Sequence, residues 1–310
     1  MSAGKILVKC WAALNHAVLM PSTGRLVCGR MGKEITKKYE SLKRALASMK
    51  SALLSYSGGV DSTVLLAVGK EALGKNLIAV TIISPLQPEA GSTASRIAGE
   101  LGVRHLSVEI NELADPVLSQ NPPERCYICK RKRFKVLLEL SEKKGVAEVI
   151  DGSNRDDLSE YRPGLRAASE LGIRSPLIEM GLSKDEVRGI ARLLGLPNWD
   201  EPPSTCYATR IPYGQNITTE KIFTIQQGEK FLEELGFGQI RLRYVDEKTA
   251  RIELAPRLIP KIVSDDIRRR VIEEMRRLGF TYVTLDMAGY RPGSMNEALG
   301  NEHAPKRLQA

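Results

Sequence analysis

The chain has 310 residues, 42% of them hydrophobic and 27% charged, the balance of a globular protein able to bury a sizeable core. Lysine and arginine total 46 against 37 acidic residues, and this basic surplus is spread along the chain, so it suits anionic ligands (nucleotides, phosphorylated metabolites or RNA) without choosing among them. Five cysteines are too few and too oddly numbered for a disulfide framework, and no run of about 18 apolar residues could span a bilayer, so a reduced, cytoplasmic protein is expected.

Residues 1–30 show no clean period and read as an appendage, poorly ordered and without an assigned function. A helix is expected over 35–49, with Tyr39, Leu42, Leu46 and Met49 on one face. The apolar run 51–56 then reads as a strand, followed by a glycine turn and a helix from Asp61. Strand-like runs recur at 77–83, 105–110 and 147–151, separated by helix-length amphipathic segments. Such alternation predicts the α/β class, a parallel sheet with helices on both faces and ligands beyond the carboxyl ends of the strands.

After Leu196 the segment PNWDEPPSTCYATRIPYG packs four prolines into eighteen residues and marks a domain boundary near 200. Beyond it come a helix near 218–235, strands at 240–246 and 249–255 joined through Glu247 and Lys248, a helix at 265–278 and a strand at 282–286. The expected organisation is a first domain over 31–200, a smaller α+β domain over 201–298 and a tail over 299–310.

Ser57-Gly58-Gly59-Val60-Asp61-Ser62 lies between a strand and a helix, where backbone N–H groups and the positive helix end surround the turn. Gly58 and Gly59 allow close backbone approach, Ser57 and Ser62 add hydroxyls, and Asp61 is most simply a magnesium anchor. No Gly-Lys-Ser/Thr closes the turn, so this is not the kinase-type P-loop. The hexapeptide instead resembles the PP-loop of the ATP pyrophosphatase superfamily, the adenine nucleotide alpha hydrolase-like fold, whose members split ATP between the α and β phosphates. The resemblance extends to DGSNRDDLSEYRPG (151–164), which brings Asn154 and Asp157 toward nucleotide or acceptor; the alternative is a capped polar loop.

Cys126 and Cys129 lie at the edge of a basic helical segment and Cys206 in the proline-rich segment. The three thiols converge if the fold brings both segments to one mouth. They are one ligand short of a closed zinc site, since His16, His105 and His303 are isolated. A 4Fe–4S cluster on Cys126, Cys129 and Cys206 would leave one iron open to carry sulfur. Alternatives are a redox dithiol, sulfur donation by Cys206 itself, zinc, or inert packing.

SYSGGVDS, NPPERCYICK, DGSNRDDLSEYRPGLRAASELGIRSPL, PSTCYATRIPYG and LDMAGYRPGSMN together resemble the LarE family, over residues 35–297. These are ATP-dependent sulfur transferases that help build the nickel-pincer nucleotide of lactate racemase. The resemblance implies a PP-loop α/β domain with a smaller C-terminal domain, ATP and Mg2+, and a two-step reaction on pyridinium-3,5-biscarboxylate mononucleotide. One carboxylate would be adenylylated and its oxygen then replaced by sulfur from sulfide or a persulfide. In one branch of the family the cysteine matching Cys206 surrenders its own sulfur; in another it joins a C-x-x-C pair around a 4Fe–4S cluster, and this sequence has all three cysteines. A homo-oligomer is implied as well.

Arg241 and Arg243 alternate on one strand face and could grip the substrate's phosphate together; Arg210 is a similar candidate, with Glu229 and Glu253 as further pocket residues. The rival readings are a tRNA thiolase with a PP-loop and an iron–sulfur cluster, and an ammonia-using PP-loop synthetase. Aromatic residues make up only 5% of the chain, which disfavours a nucleic-acid stacking surface.

Overall fold

The computed structural model describes residues 25–159, 162–201 and 206–299. In chain order its first half runs α1 (Arg25–Ala47), β1 (Ala52–Ser55), α2 (Val60–Leu73), β2 (Leu77–Ile83), α3 (Ala90–Glu100), β3 (Arg104–Glu109), α4 (Pro116–Ser119), α5 (Arg125–Lys144) and β4 (Glu148–Ile150). There follow α6 (Pro163–Glu170), α7 (Pro176–Glu179), α8 (Lys184–Leu193), α9 (Thr219–Glu234), β5 (Ile240–Tyr244), β6 (Thr249–Leu254), α10 (Ile259–Ile262), α11 (Asp265–Arg277) and β7 (Tyr282–Leu285).

β1 to β4 form a parallel sheet in the order β3-β2-β1-β4. Its central strands are apolar along their whole length because successive side chains feed opposite cores. Ala52, Leu54, Leu77 and Ala79 pack under α1, α2 and α8, whereas Leu53, Ile78 and Val80 pack against α5 and α6. Buried against the sheet, α1 and α8, helix α2 is apolar nearly all round, as such a position requires. The chain winds from β1 outward to β3 and then returns to the other side of β1, so the order reverses between β1 and β4. That reversal is where an open parallel sheet leaves a crevice at its carboxyl edge.

A second sheet pairs β5 with β6 antiparallel and β6 with β7 parallel, and α9 and α11 close its core around Leu232, Phe237, Leu242, Ile252 and Met275. A smaller cluster joins Leu86 and Leu118 to Ala208 and Ile211 of the proline-rich segment and to Ile217, Ile222 and Ile225 beyond it. Buried Asn121 seals this seam, its side-chain amide donating to the carbonyls of Ile211 at 3.0 Å and Pro212 at 2.7 Å.

Every strand expected from sequence is present, its ends trimmed by at most two residues or, at β3, moved one residue toward the N-terminus. Helix α1, however, begins at Arg25, ten residues before its expected start, so it absorbs the last part of the expected appendage. Residues 1–24 of that appendage, and 300–310 of the expected tail, lie outside the described residues. Among the described residues no helix is long and apolar enough to cross a membrane.

Fully buried Asn198, beyond α8, donates to the carbonyl of Gly58 at 2.8 Å and to the Thr63 hydroxyl at 3.0 Å, tying a later segment to the turn after β1. Replacing Asn198 with Ala leaves the Gly58 carbonyl with only a long 3.4 Å bond from the Thr63 hydroxyl and is expected to cost about 1–3 kcal/mol. Urea unfolding checks this: the midpoint falls while the slope is unchanged.

Candidate functional site

The turn after β1 is held from both sides. The Tyr56 amide donates to the Val80 carbonyl at 2.8 Å, and the Tyr56 carbonyl accepts from Thr81 Oγ1 at 2.8 Å, which fixes the strand end. Gly58 then takes φ +79°, and a Cβ there would stand 3.3 Å from the backbone nitrogen of Ala94, so both conformation and space require glycine. The Ser57 and Ser62 hydroxyls lie 3.1 Å apart, and Ser62 Oγ donates to the Gly59 carbonyl at 3.0 Å. With Gly59 as cap, the first N–H groups of α2 have no helical partners and point into the turn, together with the positive helix end.

The loop after β4 meets this turn. A Cβ on Gly152 would stand 3.1 Å from the Ser62 nitrogen, so the two loops touch backbone to backbone. Beside that contact, burial raises Asp61 to about 6, with the neighbouring Asp157 pushing the same way and Lys184, Asn154 and Arg162 pulling back. Its Oδ1 is buried with no hydrogen-bond partner. Asp157 accepts from the Asn154 amide at 3.0 Å and pairs with Arg162 at 2.9 Å. Two adjacent carboxylates, one with an unsatisfied buried oxygen, have the chemistry to suit a hard divalent cation such as Mg2+. The predicted residues Ser57, Gly58, Gly59, Asp61, Ser62, Asn154 and Asp157 therefore come together. Asp151 belongs with them: burial opposes its charge, but Lys130 at 3.3 Å and the Ser175 and Ser153 hydroxyls hold it below the usual carboxylate range.

The cysteines form a neighbouring group. Cys126 and Cys129 occupy the first turn of α5, three residues apart and so on one face, with Cys126 exposed and Cys129 half-buried. Cys129 and Cys206 share the small apolar cluster at the seam. Burial pushes the Cys129 thiol up to about 12; Arg133 opposes this, and Cys206, Glu112 and Cys126 add to it. Burial likewise raises Cys206, against the pull of Arg133. Arg133 is bonded to Glu112 and Gln87 at 2.7 Å and to Ser84 at 2.9 Å, which fastens the cysteine helix to the end of β2. Among the described residues, no three His, Cys, Asp or Glu side chains form a cage for a single metal ion.

A cleft of about 160 Å³ opens next to Cys126, and Arg125, Tyr213, Arg241, Arg243 and Tyr290 are among its lining residues. Arg241 and Arg243 both reach it, as their alternation on β5 predicts, but their surroundings differ. Arg243 is buried, pairs with Glu253 at 2.7 Å, and donates to the Thr209 carbonyl and the Ser294 hydroxyl. Arg241 makes no ion pair among the described residues and stacks over Tyr290 at 5.0 Å; burial, and then Arg210, lower its pKa. Arg210 is absent from the cleft lining: its guanidinium forks onto Glu229 at 3.0 and 2.8 Å and also donates to the Cys206 carbonyl at 3.2 Å. It thus braces the segment carrying Cys206, and Glu229 and Glu253 serve as arginine partners.

With this geometry in hand, the chain can be compared with known proteins. The NAD synthase family pattern matches residues 34–167, the stretch that carries both phosphate-side loops. An uncharacterised protein of Synechocystis is 43% identical over 266 residues, covering 86% of this chain and 99% of its own. The pyridinium-3,5-bisthiocarboxylic acid mononucleotide synthase of Lactiplantibacillus plantarum is 37% identical over 268 residues, 86% of this chain and 96% of its own. The chain belongs to the LarE family. A Methanocaldococcus jannaschii protein of uncharacterised function, 30% identical over 260 residues, extends the likeness to an archaeon. As a LarE-family member with a PP-loop, the protein is an ATP-dependent sulfurtransferase.

Sequence reasoning on this LarE chain overlooked Arg125, Arg133, Asn198 and the Tyr213–Tyr290 walls of the cleft. Arg133 had a signal, standing four residues after Cys129 on the same helical face. The others depend on contacts across 70 residues or more, for which no local pattern exists.

The raised Asp61 value fixes the sign of a pH effect. Because the folded pKa, about 6, exceeds the ordinary 3.8, ionised Asp61 burdens the metal-free fold above pH 6, and the burden disappears as pH falls toward 4. Asp61→Asn is therefore expected to stabilise the metal-free protein at pH 7.5 by up to about 3 kcal/mol, with no gain near pH 4. Thermal unfolding of both proteins across this range, in chelator, reads the difference directly.

Proposed function

We propose that this enzyme adenylylates a carboxylate of pyridinium-3,5-biscarboxylate mononucleotide and replaces its oxygen with sulfur in nickel-pincer nucleotide synthesis. The observation that carries this reading is one of proximity: thiols from α5 and from Cys206 share a neighbourhood that also borders an arginine-lined cleft. An ammonia-using synthetase needs no such thiols, and a tRNA thiolase would need a longer basic and aromatic surface. Residues 31–200 act as the nucleotide domain and 201–298 as the substrate and oligomerisation domain of a cytoplasmic homo-oligomer.

In the first step a substrate carboxylate oxygen attacks the α-phosphorus of ATP, the bond to the bridging oxygen breaks, and pyrophosphate leaves with the electron pair. The turn Ser57–Ser62 and the N-terminus of α2 receive the departing charge on preorganised N–H groups, where Asp61 would hold Mg2+. Asn154 and Asp157 orient Asp61, and Arg241 with Arg243 grips the mononucleotide phosphate. Arg210 fixes the backbone at Cys206 by donating to its carbonyl.

In the second step hydrosulfide attacks the acyl carbon; a persulfide donor would supply it only with two electrons from an external thiol, which is oxidised to a disulfide. A C–S bond forms, the C–O bond to AMP breaks, and AMP leaves, so carboxylate oxygen is exchanged for sulfur at the cost of one ATP. Cys126, Cys129 and Cys206 would hold a 4Fe–4S cluster. Arg133, which favours thiolate at both buried cysteines, suits the negative charge of that ligand set. When bound, the cluster supplies an open iron at which extra sulfur can rest.

Iron and acid-labile sulfide analysis after anaerobic purification tests the ligand set: about four of each in the wild type, lost in Cys206→Ala and Cys129→Ala. Absence of iron, together with a Cys206 mass loss of about 34 Da on reaction with ATP and substrate, would instead make Cys206 the sacrificial donor.

A further inference from the structure

We infer that Arg125 is the specificity residue for the second carboxylate of the substrate, a deepening that rests on the substrate proposed above. Arg125 is only 5% exposed. A buried guanidinium is costly unless a negative charge meets it. Arg133, Arg210 and Arg243 each have a carboxylate partner, whereas Arg125 has none among the described residues. One of its N–H groups donates to Asn121 Oδ1 at 2.6 Å, and its flat face lies 4.3 Å from the centre of the Tyr213 ring. That leaves most of its five donors for whatever enters the cleft, and no Asp or Glu lines that cleft.

Position decides which anion it takes. Arg241, over Tyr290, and Arg243, on Ser294, form the wall built by β5 and the C-terminal segment. Arg125 lies next to Cys126 at the start of α5, and Cys126 lines the same cleft, so Arg125 stands at the thiol end. The end of the ligand that reacts with sulfur must be there, and a ring bearing two carboxylates in meta positions brings both. A guanidinium fork on the reacting group would occupy the oxygens that have to attack ATP. Arg125 therefore grips the other carboxylate and, in doing so, presents its twin. The same grip works in each of two successive thiolations, because a thiocarboxylate keeps the negative charge.

The test compares kcat/KM for exchange of labelled pyrophosphate into ATP, a measure that non-productive binding leaves unchanged. The acceptors are pyridinium-3,5-biscarboxylate mononucleotide and the pyridinium-3-carboxylate mononucleotide. The full-length wild type is expected to prefer the biscarboxylate about 10- to 100-fold, the range of one charge-assisted contact. In Arg125→Gln that preference falls to within about threefold, because the biscarboxylate value drops while the monocarboxylate value holds. Arg125→Lys, which preserves the buried charge without the fork, retains part of the preference and carries the test if the Gln variant does not fold. A preference that survives in both variants overturns the assignment, as does a wild type that uses both acceptors equally; in either case the substrate reading stands. A wild type that exchanges with neither mononucleotide overturns the substrate reading, and the assignment with it.

Discussion

Where β1 and β4 run side by side to the carboxyl edge of the sheet, the loops that follow them compete for one small volume, and Gly152 resolves the competition by giving Ser62 backbone room. Neighbouring strands lie about 4.8 Å apart, so loops leaving them cannot both carry side chains inward. The consequences spread from that contact. It brings Asp157 close enough to disturb Asp61, and it brings the loop of 151–154 to the open end of α2. Asn198 then holds the same turn from a third direction, and a site for charge transfer is rigid before any ligand arrives.

Charge is distributed in the interior on two different plans. Arg210 with Glu229, and Arg243 with Glu253, are ion pairs that fix the segment 206–210 to α9 and β5, though Arg243 Nε keeps no partner. Such pairs contribute little net stability over apolar packing, yet they define one arrangement strongly, since either partner left alone would be a buried charge. Half-buried Asp61, with one oxygen enclosed and unpartnered, and buried Arg125 follow the other plan, neither making an ion pair among the described residues. The acid sits at the phosphate side and the base at the thiol side, an arrangement that fits a cation at one end of the reaction and a carboxylate at the other.

Much of this was legible in the sequence wherever the determinant is local. Strands β1, β2 and β6 read almost to the residue, because an apolar run bounded by turn residues has few other solutions. The phosphate turn was legible for the same reason, since Gly58 and the Asp61–Ser62 pair act within six residues. The start of α1 was not, because the stretch around Arg25 offers no cap and no clean period. The fate of the arginines was not legible either. Alternation placed Arg241 and Arg243 at one cleft, but only the fold decides that Arg210 forks onto Glu229 and Arg243 pairs with Glu253 while Arg241 makes no ion pair among the described residues. Arg125 reads locally as one more cation of a basic helix; its importance comes from Tyr213, 88 positions away in the chain.

The buried Asn121 at the seam has a consequence for how the chain holds its three thiols together. Its backbone is left-handed, at φ 57°, a conformation that asparagine tolerates better than most residues. From there it fastens the approach to the α5 cysteines onto the segment just beyond Cys206, through bonds to Ile211, Pro212 and Gly214 that need no inorganic partner. In small zinc domains the ligands are scattered until the ion gathers them, so removing the ion unfolds the chain. Here polypeptide alone has closed the long loop between the thiols, and its entropy is already spent. Should the thiols take the cluster proposed above, its assembly would not have to close that loop, and losing the inorganic part would leave these bonds in place.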